Sequence, residues 1–350
     1  MKRLPLILLL FALLAQHMRG DAQPQNDRET IQIGSIDYFG YAGLDLKKIE
    51  VRLPIKVGDR ITRDVFDRDR KIIPDLVKEI AGKPTTDIAA VCCDQNGRLM
   101  IYIGLSGASS QPIVFNLSPQ GKDQLGTEAL DLYARYGAAQ QSAVKRGVTS
   151  ENDSEGYALS SDAASHKIEL AIREYALSHG DLIQRVLRNS ADVEQRRVSA
   201  CFLGYADRSA EQIRNLASAT KDQDAEVRNN ATRALWVLAS AKNSSGIKVS
   251  PTPFIDLLFS SQWTDRNKSS LVLMQLTQEL DPELLGTLRN RAMAPLLEGL
   301  RWTNPGHSSP FLFILGRIEG ISEDRLKQLA ATGDKTQVIQ AAEQLASLRQ

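Results

Sequence analysis

The sequence predicts a small α+β module followed by an all-α stack of paired helices, a chain predominantly α overall. Three observations lead to that reading. Short segments of alternating apolar character surround two helical stretches between Ile31 and Leu105. From about Ala163 to the end the apolar spacing is helical throughout. Between Asp192 and Ala239 one helix-start pattern occurs twice, 32 residues apart.

The first residues are a targeting signal in character. Met1-Lys2-Arg3 precedes an apolar run from Leu4 to Ala15, and the chain then turns small and polar through Gly20-Asp21-Ala22-Gln23. This predicts a signal peptide over residues 1–22, cleaved after Ala22. The run is too short for a membrane-spanning helix, which needs roughly 20 apolar residues. The rest of the chain holds no second long apolar segment, so no integral membrane segment is expected after cleavage and the mature protein should be periplasmic or secreted. Removing residues 1–22 takes away Lys2, Arg3, Arg19 and Asp21 and leaves a net charge near −1. That balance argues against nucleic acid or anionic lipid as the main partner.

Residues 23–110 read as a small αβ domain. Ile31-Gln32-Ile33 with Ser35 to Phe39 predicts a strand, and Leu46, Ile49 and Leu53 recur at helical spacing. Val57-Gly58-Asp59 breaks the pattern. A second helix is expected over 63–80, kinked or divided at Pro74 and ended by Gly82. Two strands, 87–93 and 98–105, flank Asn96-Gly97, the dipeptide that favours the tight turn of a hairpin. Cys92 and Cys93 either close a vicinal ring or point to opposite faces of one strand, and the alternation favours opposite faces. Cys201 falls on the apolar face of a helix and reads as a small core residue. The order strand, helix, helix, strand, strand, with Ile55-Lys56-Val57-Gly58-Asp59 and Gly97-Arg98-Leu99-Met100-Ile101-Tyr102-Ile103, resembles a POTRA domain. The resemblance implies the small sheet and the capture of an extended chain at its edge.

Residues 111–162 are expected to hold a linker, a helix over 124–145 and a polar loop from Gly147 to Asp162. A loop of that length is either functional or mobile.

The repeat signal is strongest after that. Asp192-Val193-Glu194-Gln195-Arg196, followed by Ala200 and Leu203, returns as Asp224-Ala225-Glu226-Val227-Arg228, followed by Thr232 and Leu235. In each copy the Asp caps a helix and the Arg stands four residues on. Each is preceded by another apolar helix, 182–187 or 213–219. Weaker pairs are expected at 254–259 with 267–276, 284–300 with 310–318, and Leu326 and Leu329 with the Asp334, Val338, Ala341 and Leu345 series. One such hairpin cannot bury its own apolar face, so neighbours must stack. The stretch from Asp224 to Leu235 resembles the second helix of a HEAT repeat. The fold class is then an α+β N-terminal module followed by an all-α HEAT-type superhelix over 163–350. The resemblance implies a curved solenoid whose second helices bind a protein partner, with Asp192, Arg196, Asp224 and Arg228 stitching neighbouring repeats.

Little in the sequence points to catalysis. There is no Gly-rich phosphate loop, nucleophile elbow, His-Glu-x-x-His or Cys-x-x-Cys. His166, His179 and His307 are far apart in sequence, so no metal site and no cofactor are expected. Two polar stretches stand out as partner sites. One is Trp263, Asp265, Arg266, Asn267 and Lys268; the other contains Trp302 and His307 in a loop, 301–310, too polar and broken for a helix. Trp beside Arg, Asn or His is the composition of interface hot spots; the structural alternative is helix capping and packing between helices. The carboxylates of residues 150–162 are candidates to meet Arg196, Arg228 or Arg266. The expectation is an exported, non-catalytic scaffold binding a protein or peptide partner of unknown identity. The alternative is an envelope hydrolase using the loops 263–268 and 302–307.

Overall fold

The computed structural model describes residues 30–241 and 248–347. The expected signal peptide lies outside them. The described chain is predominantly helical with a small N-terminal sheet, and among the described residues no helix is long and apolar enough to cross a membrane. It divides into two compact units. A helical unit comprises residues 113–241, 248–257 and 267–284, and a mixed unit comprises 30–112, 258–266 and 285–347. Contacts thus group the last helices with the αβ module, whereas periodicity divides the chain at 110 and 162.

In the mixed unit, strands β1 (Ile31–Phe39), β2 (Arg60–Ile61), β3 (Asp87–Val91) and β4 (Leu99–Gly104) form one sheet in the order β2-β1-β4-β3. β1 runs parallel to β4, and β3 and β4 are the hairpin expected around Asn96-Gly97. β2, two residues long, directly follows the break at Val57-Gly58-Asp59, where the sequence suggests no strand. Helix Arg63–Ala81 covers one face through Phe66, Ile73 and Val77, which join Ile33, Ile49, Ile101 and Ile103 in the core. It continues through Pro74 rather than dividing there. Apolar anchors on both sides of the proline hold the helix to the sheet, which offsets one missing hydrogen bond. Thr62 caps its start and Gly82, left-handed at φ 79°, ends it. β3 ends at Val91, so strand alternation does not reach the two cysteines. Cys92 and Cys93 are joined in a vicinal disulfide, which corrects the expectation of opposite faces.

The C-terminal helices of this unit are Met293–Arg301, Pro305–Ile318, Glu323–Thr332 and Thr336–Ser347. The expected single helix over 284–300 is two, Pro282–Arg291 and Met293–Arg301, parted at Ala292. The expected loop 301–310 is mostly helix as well. Asn304 accepts the His307 N–H as cap, and Pro305 takes the first helical position, where its missing donor costs nothing.

In the helical unit, helix Thr127–Lys145 packs on Ala163–Ser178, and Gly180–Asn189 packs on Val193–Leu203. Ala210–Ala219 and Val193–Leu203 both pack on Ala225–Ser240. The segment before Thr127 lies extended along the turns that precede second helices. The Asn116 N–H donates to the Lys221 carbonyl at 2.7 Å, and Gly121 and Asn189 are joined the same way at 2.7 Å. The expected polar loop folds instead as a hairpin of two short strands, Glu151–Asn152 and Leu159–Ser160.

One local device recurs where second helices begin. Arg196 donates to the Ser190 carbonyl at 2.9 Å, Arg228 to that of Asp222 at 2.8 Å, and Arg266 to that of Ser260 at 2.7 Å. In each case the cation reaches back six residues to a turn carbonyl that the helix itself cannot satisfy. His166 stands in the same relation to Ser160, with Nδ1 3.0 Å from the carbonyl. At the next turn the corresponding residue is Ser308, and Lys335 supplies the cation instead, its Nζ 2.5 Å from the Trp302 carbonyl.

The loop after β1 contains a stringent glycine. Gly40 has φ 71°, and a Cβ there would lie 2.4 Å from the Leu105 carbonyl oxygen. Gly58 has φ 95° with nothing within 4 Å of such a Cβ. Gly40→Ala should therefore cost about 3 kcal/mol, from backbone strain plus overpacking, and Gly58→Ala only about 1 kcal/mol, from strain alone. Urea unfolding of the two variants tests the difference, and equal costs would contradict this account of the loop.

Candidate functional site

The residues singled out by composition lie inside the protein. Trp263, Asp265, Arg266, Asn267, Lys268, Trp302 and His307 are each no more than 4% exposed. In the mixed unit Arg266 forms an ion pair with Glu298 at 3.1 Å and donates to the Ser109 carbonyl at 2.7 Å. Glu298 also accepts the N–H groups of Gly40, Tyr41 and Ala42 at 2.7, 2.9 and 3.0 Å, and the Ser109 hydroxyl. Burial lowers the Arg266 pKa to about 10, against the opposing pull of Glu298, so the guanidinium stays charged at neutral pH. Asp265 accepts the Ser260 hydroxyl at 2.6 Å.

The two tryptophans and His307 surround Tyr102 of β4. Trp263 stacks on its ring at 4.6 Å, Trp302 meets it edge-on at 5.3 Å, and the Tyr102 hydroxyl lies 2.5 Å from His307 Nδ1. Burial pushes the Tyr102 pKa up, which keeps the proton on the hydroxyl. Trp302 Nε1 donates to the Tyr38 carbonyl at 3.0 Å, and Thr303 donates twice to Asp37. The hot-spot composition thus belongs to a buried core in which aromatic area and polar groups coexist.

In the helical unit Lys268 is buried near Arg233 and Glu151, and burial lowers its pKa to about 8. Asp192 caps its helix through the Glu194 N–H, and Asp224 through those of Glu226 and Val227. Arg196 reaches Asp222 with two bonds of 2.8 and 3.2 Å. Asp224 is met by Arg197 at 2.7 Å. Arg228 lies over the Phe115 ring at 4.3 Å. Of the loop carboxylates, Glu151 meets Arg233 at 2.6 Å and Asp162 meets Arg146.

A concave surface lies elsewhere in the helical unit. A cleft of about 600 Å³ opens between the start of helix Thr127–Lys145 and the end of helix Ala163–Ser178. Glu128, Asp131 and Arg135 line one wall and Glu174, Ser178 and His179 the other. Tyr175 and His179 stack at 4.1 Å with ring planes 14° apart. Burial and the nearby Glu128 both raise the Tyr175 pKa, so its hydroxyl is protonated. Three carboxylates against one guanidinium give the cleft an acidic character suited to a cationic group with an apolar stem. No sequence motif marks it, because its two walls come from helices that meet only in the fold. Among the described residues no group of His, Cys, Asp and Glu side chains is arranged to hold a metal ion. Compared with known proteins, the sequence matches no family model and no curated protein.

Asp87 reports on the aromatic core. It accepts the Trp263 N–H at 2.9 Å, and burial raises its pKa to about 6 despite that bond. Because the folded value exceeds the ordinary 3.8, the acid form stabilises the fold below about pH 4, and that contribution is lost as pH rises through 6. Wild-type protein should lose up to about 3 kcal/mol across this window relative to Asp87→Asn, which keeps the acceptor but cannot ionise. Chemical unfolding at pH 4, 5, 6 and 7 measures it; parallel pH profiles for the two proteins would refute it.

Proposed function

We propose that this chain is an exported, non-catalytic scaffold of the HEAT-repeat kind that binds a protein partner through a basic peptide segment. The observation that carries the reading is the acidic cleft between helices Thr127–Lys145 and Ala163–Ser178. It is concave, its walls carry Glu128, Asp131, Glu174 and Arg135, and it offers an aromatic stack at 4.1 Å as an apolar floor. Lys and Arg side chains combine a cationic head with an apolar stem, which matches those walls.

The repeated cation-to-carbonyl bond at Ser190, Asp222 and Ser260 supports the repeat character of the helical pairs. Equivalent bonds at equivalent turns are what a chain built from copies of one unit would carry. In the N-terminal module, β3 is an edge strand, and addition of an extended segment there is a second contact such a scaffold would use. Glu128, Asp131 and Glu174 carry recognition, Arg135 sets the register of an acidic neighbour on the peptide, and Tyr175 with His179 receives the stem.

Calorimetric titration of the protein with Lys- and Arg-rich hexapeptides tests this. Binding is expected to weaken about tenfold or more in the Glu128→Gln, Glu174→Gln double variant and to fall with added salt. Absence of binding by basic peptides, or equal affinity for acidic ones, would defeat the proposal.

A further inference from the structure

The two cysteines that follow β3 occupy a backbone irregularity imposed by the turn of the β3–β4 hairpin. Val91 pairs with Met100 in the ladder, and the Asp94 N–H donates to the Arg98 carbonyl at 2.9 Å. Between those two points lie Cys92 and Cys93 on one side and Leu99 alone on the other. That is a β-bulge, in which two residues oppose one. In a regular strand successive side chains point to opposite faces, so two bonded neighbours do not fit one, whereas a bulge suspends the alternation.

Contacts that involve no sulfur hold the bulge in place. The Asp94 carboxylate accepts the N–H groups of Asn96 and Arg98, both at 2.9 Å, and Arg98 Nε at 2.8 Å. The Gly97 N–H closes the turn on the Asp94 carbonyl at 2.9 Å. On the other side of β4, β1 carries an extra residue of its own, Gly34, between the partners of Leu99 and Met100. A Cβ on Gly34 would lie 2.8 Å from both Asp94 Oδ2 and Arg98 Cβ, so the glycine makes room for the turn. Leu99 itself is buried in the apolar core of the module. The cysteine pair is open by comparison: Cys92 is exposed and Cys93 half-buried.

We propose that Cys92–Cys93 is a thiol–disulfide exchange site, reduced by dithiols and reoxidised by disulfides, with the bulge keeping the two cysteines together in both states. A thiolate of the dithiol attacks Sγ of the exposed Cys92. The bond between the two Sγ atoms breaks, its electron pair leaves on Cys93, which takes up a proton, and a mixed disulfide joins the reductant to Cys92. The second thiolate of the reductant then displaces Cys92, which is protonated in turn. Two electrons and two protons have passed to the protein, and the dithiol has become a disulfide. A disulfide oxidant reverses the sequence through a mixed disulfide on Cys92, which the neighbouring Cys93 thiolate resolves. Because the Asp94 turn and the Gly34 notch position the pair without help from sulfur, that last step is a reaction within one bulge and needs no refolding of the hairpin.

Thiol labelling of the full chain under native conditions tests the assignment, with the buried Cys201 as internal reference. The isolated protein should take no label at Cys92 or Cys93. Dithiothreitol followed by its removal should make both label, and oxidised glutathione should then protect both again. A pair that is reduced only in denaturant, or that keeps its thiols free in excess oxidised glutathione, overturns the proposal. Cys93→Ser, which leaves the exposed thiol, should form a mixed disulfide with glutathione on the order of tenfold faster than Cys92→Ser; equal or reversed rates overturn the assignment of Cys92 as the attacked sulfur. Amide hydrogen exchange of wild-type protein needs no variant. Protection at Asn96 and Arg98 should be the same in the oxidised and reduced forms, and its loss on reduction would show that the disulfide holds the turn, contradicting a bulge kept in both states.

Discussion

A buried charge is tolerable only when the groups around it answer it, and in the mixed unit the Arg266–Glu298 pair meets that condition. Three successive backbone N–H groups at Gly40 to Ala42, one hydroxyl and one guanidinium converge on Glu298. Arg266 spends its other donors on the carbonyls of Ser109 and Ser260. The loop that leaves β1, the segment after β4, the start of helix Trp263–Leu276 and helix Met293–Arg301 are thereby fixed to one another. The aromatic core around Tyr102 is closed by the same elements. These contacts, with those of Trp302 and Thr303 to β1, join residues 285–347 to the αβ module within one compact unit.

Much of the secondary structure is legible from local chemistry. The Asn96-Gly97 hairpin, the Thr62 to Gly82 helix and the Asp192 and Asp224 caps all follow from residues within a few positions of one another. Features that depend on distant partners are not legible in this way. β2 is two residues long and exists because β1 offers an edge. The stretch after Trp302 looks like a loop because Pro305, Gly306 and Pro310 dominate its composition, yet Asn304 caps it and its apolar run continues to Ile318. Arg196 and Arg228 are recognisable as a pair, but their turn-carbonyl bonds, and the substitution of Lys335 for the missing arginine near Trp302, are visible only in three dimensions.

The candidate functional residues show the same division. Trp263, Arg266, Trp302 and His307 have the composition of an interface and the position of a core, because large aromatic and hydrogen-bonding side chains suit both. The acidic cleft has the opposite property: Glu128, Asp131 and Glu174 are unremarkable in sequence and line one cleft only when two helices bring them together. Those same helices are bridged further along by Gln140 and Glu169, so the cleft and the Glu151–Ser160 hairpin share their walls.

The central claim is that the conspicuous polar residues of the mixed unit hold its fold together rather than meet a partner. A double-mutant cycle on Arg266→Met and Glu298→Leu, read by unfolding free energy, tests it most directly. Each single change should cost about 3–5 kcal/mol because it strands a buried charge. The double variant should be less destabilised than the sum of the singles by at least about 2 kcal/mol. Small single costs that simply add, to within about 0.5 kcal/mol, would contradict the account.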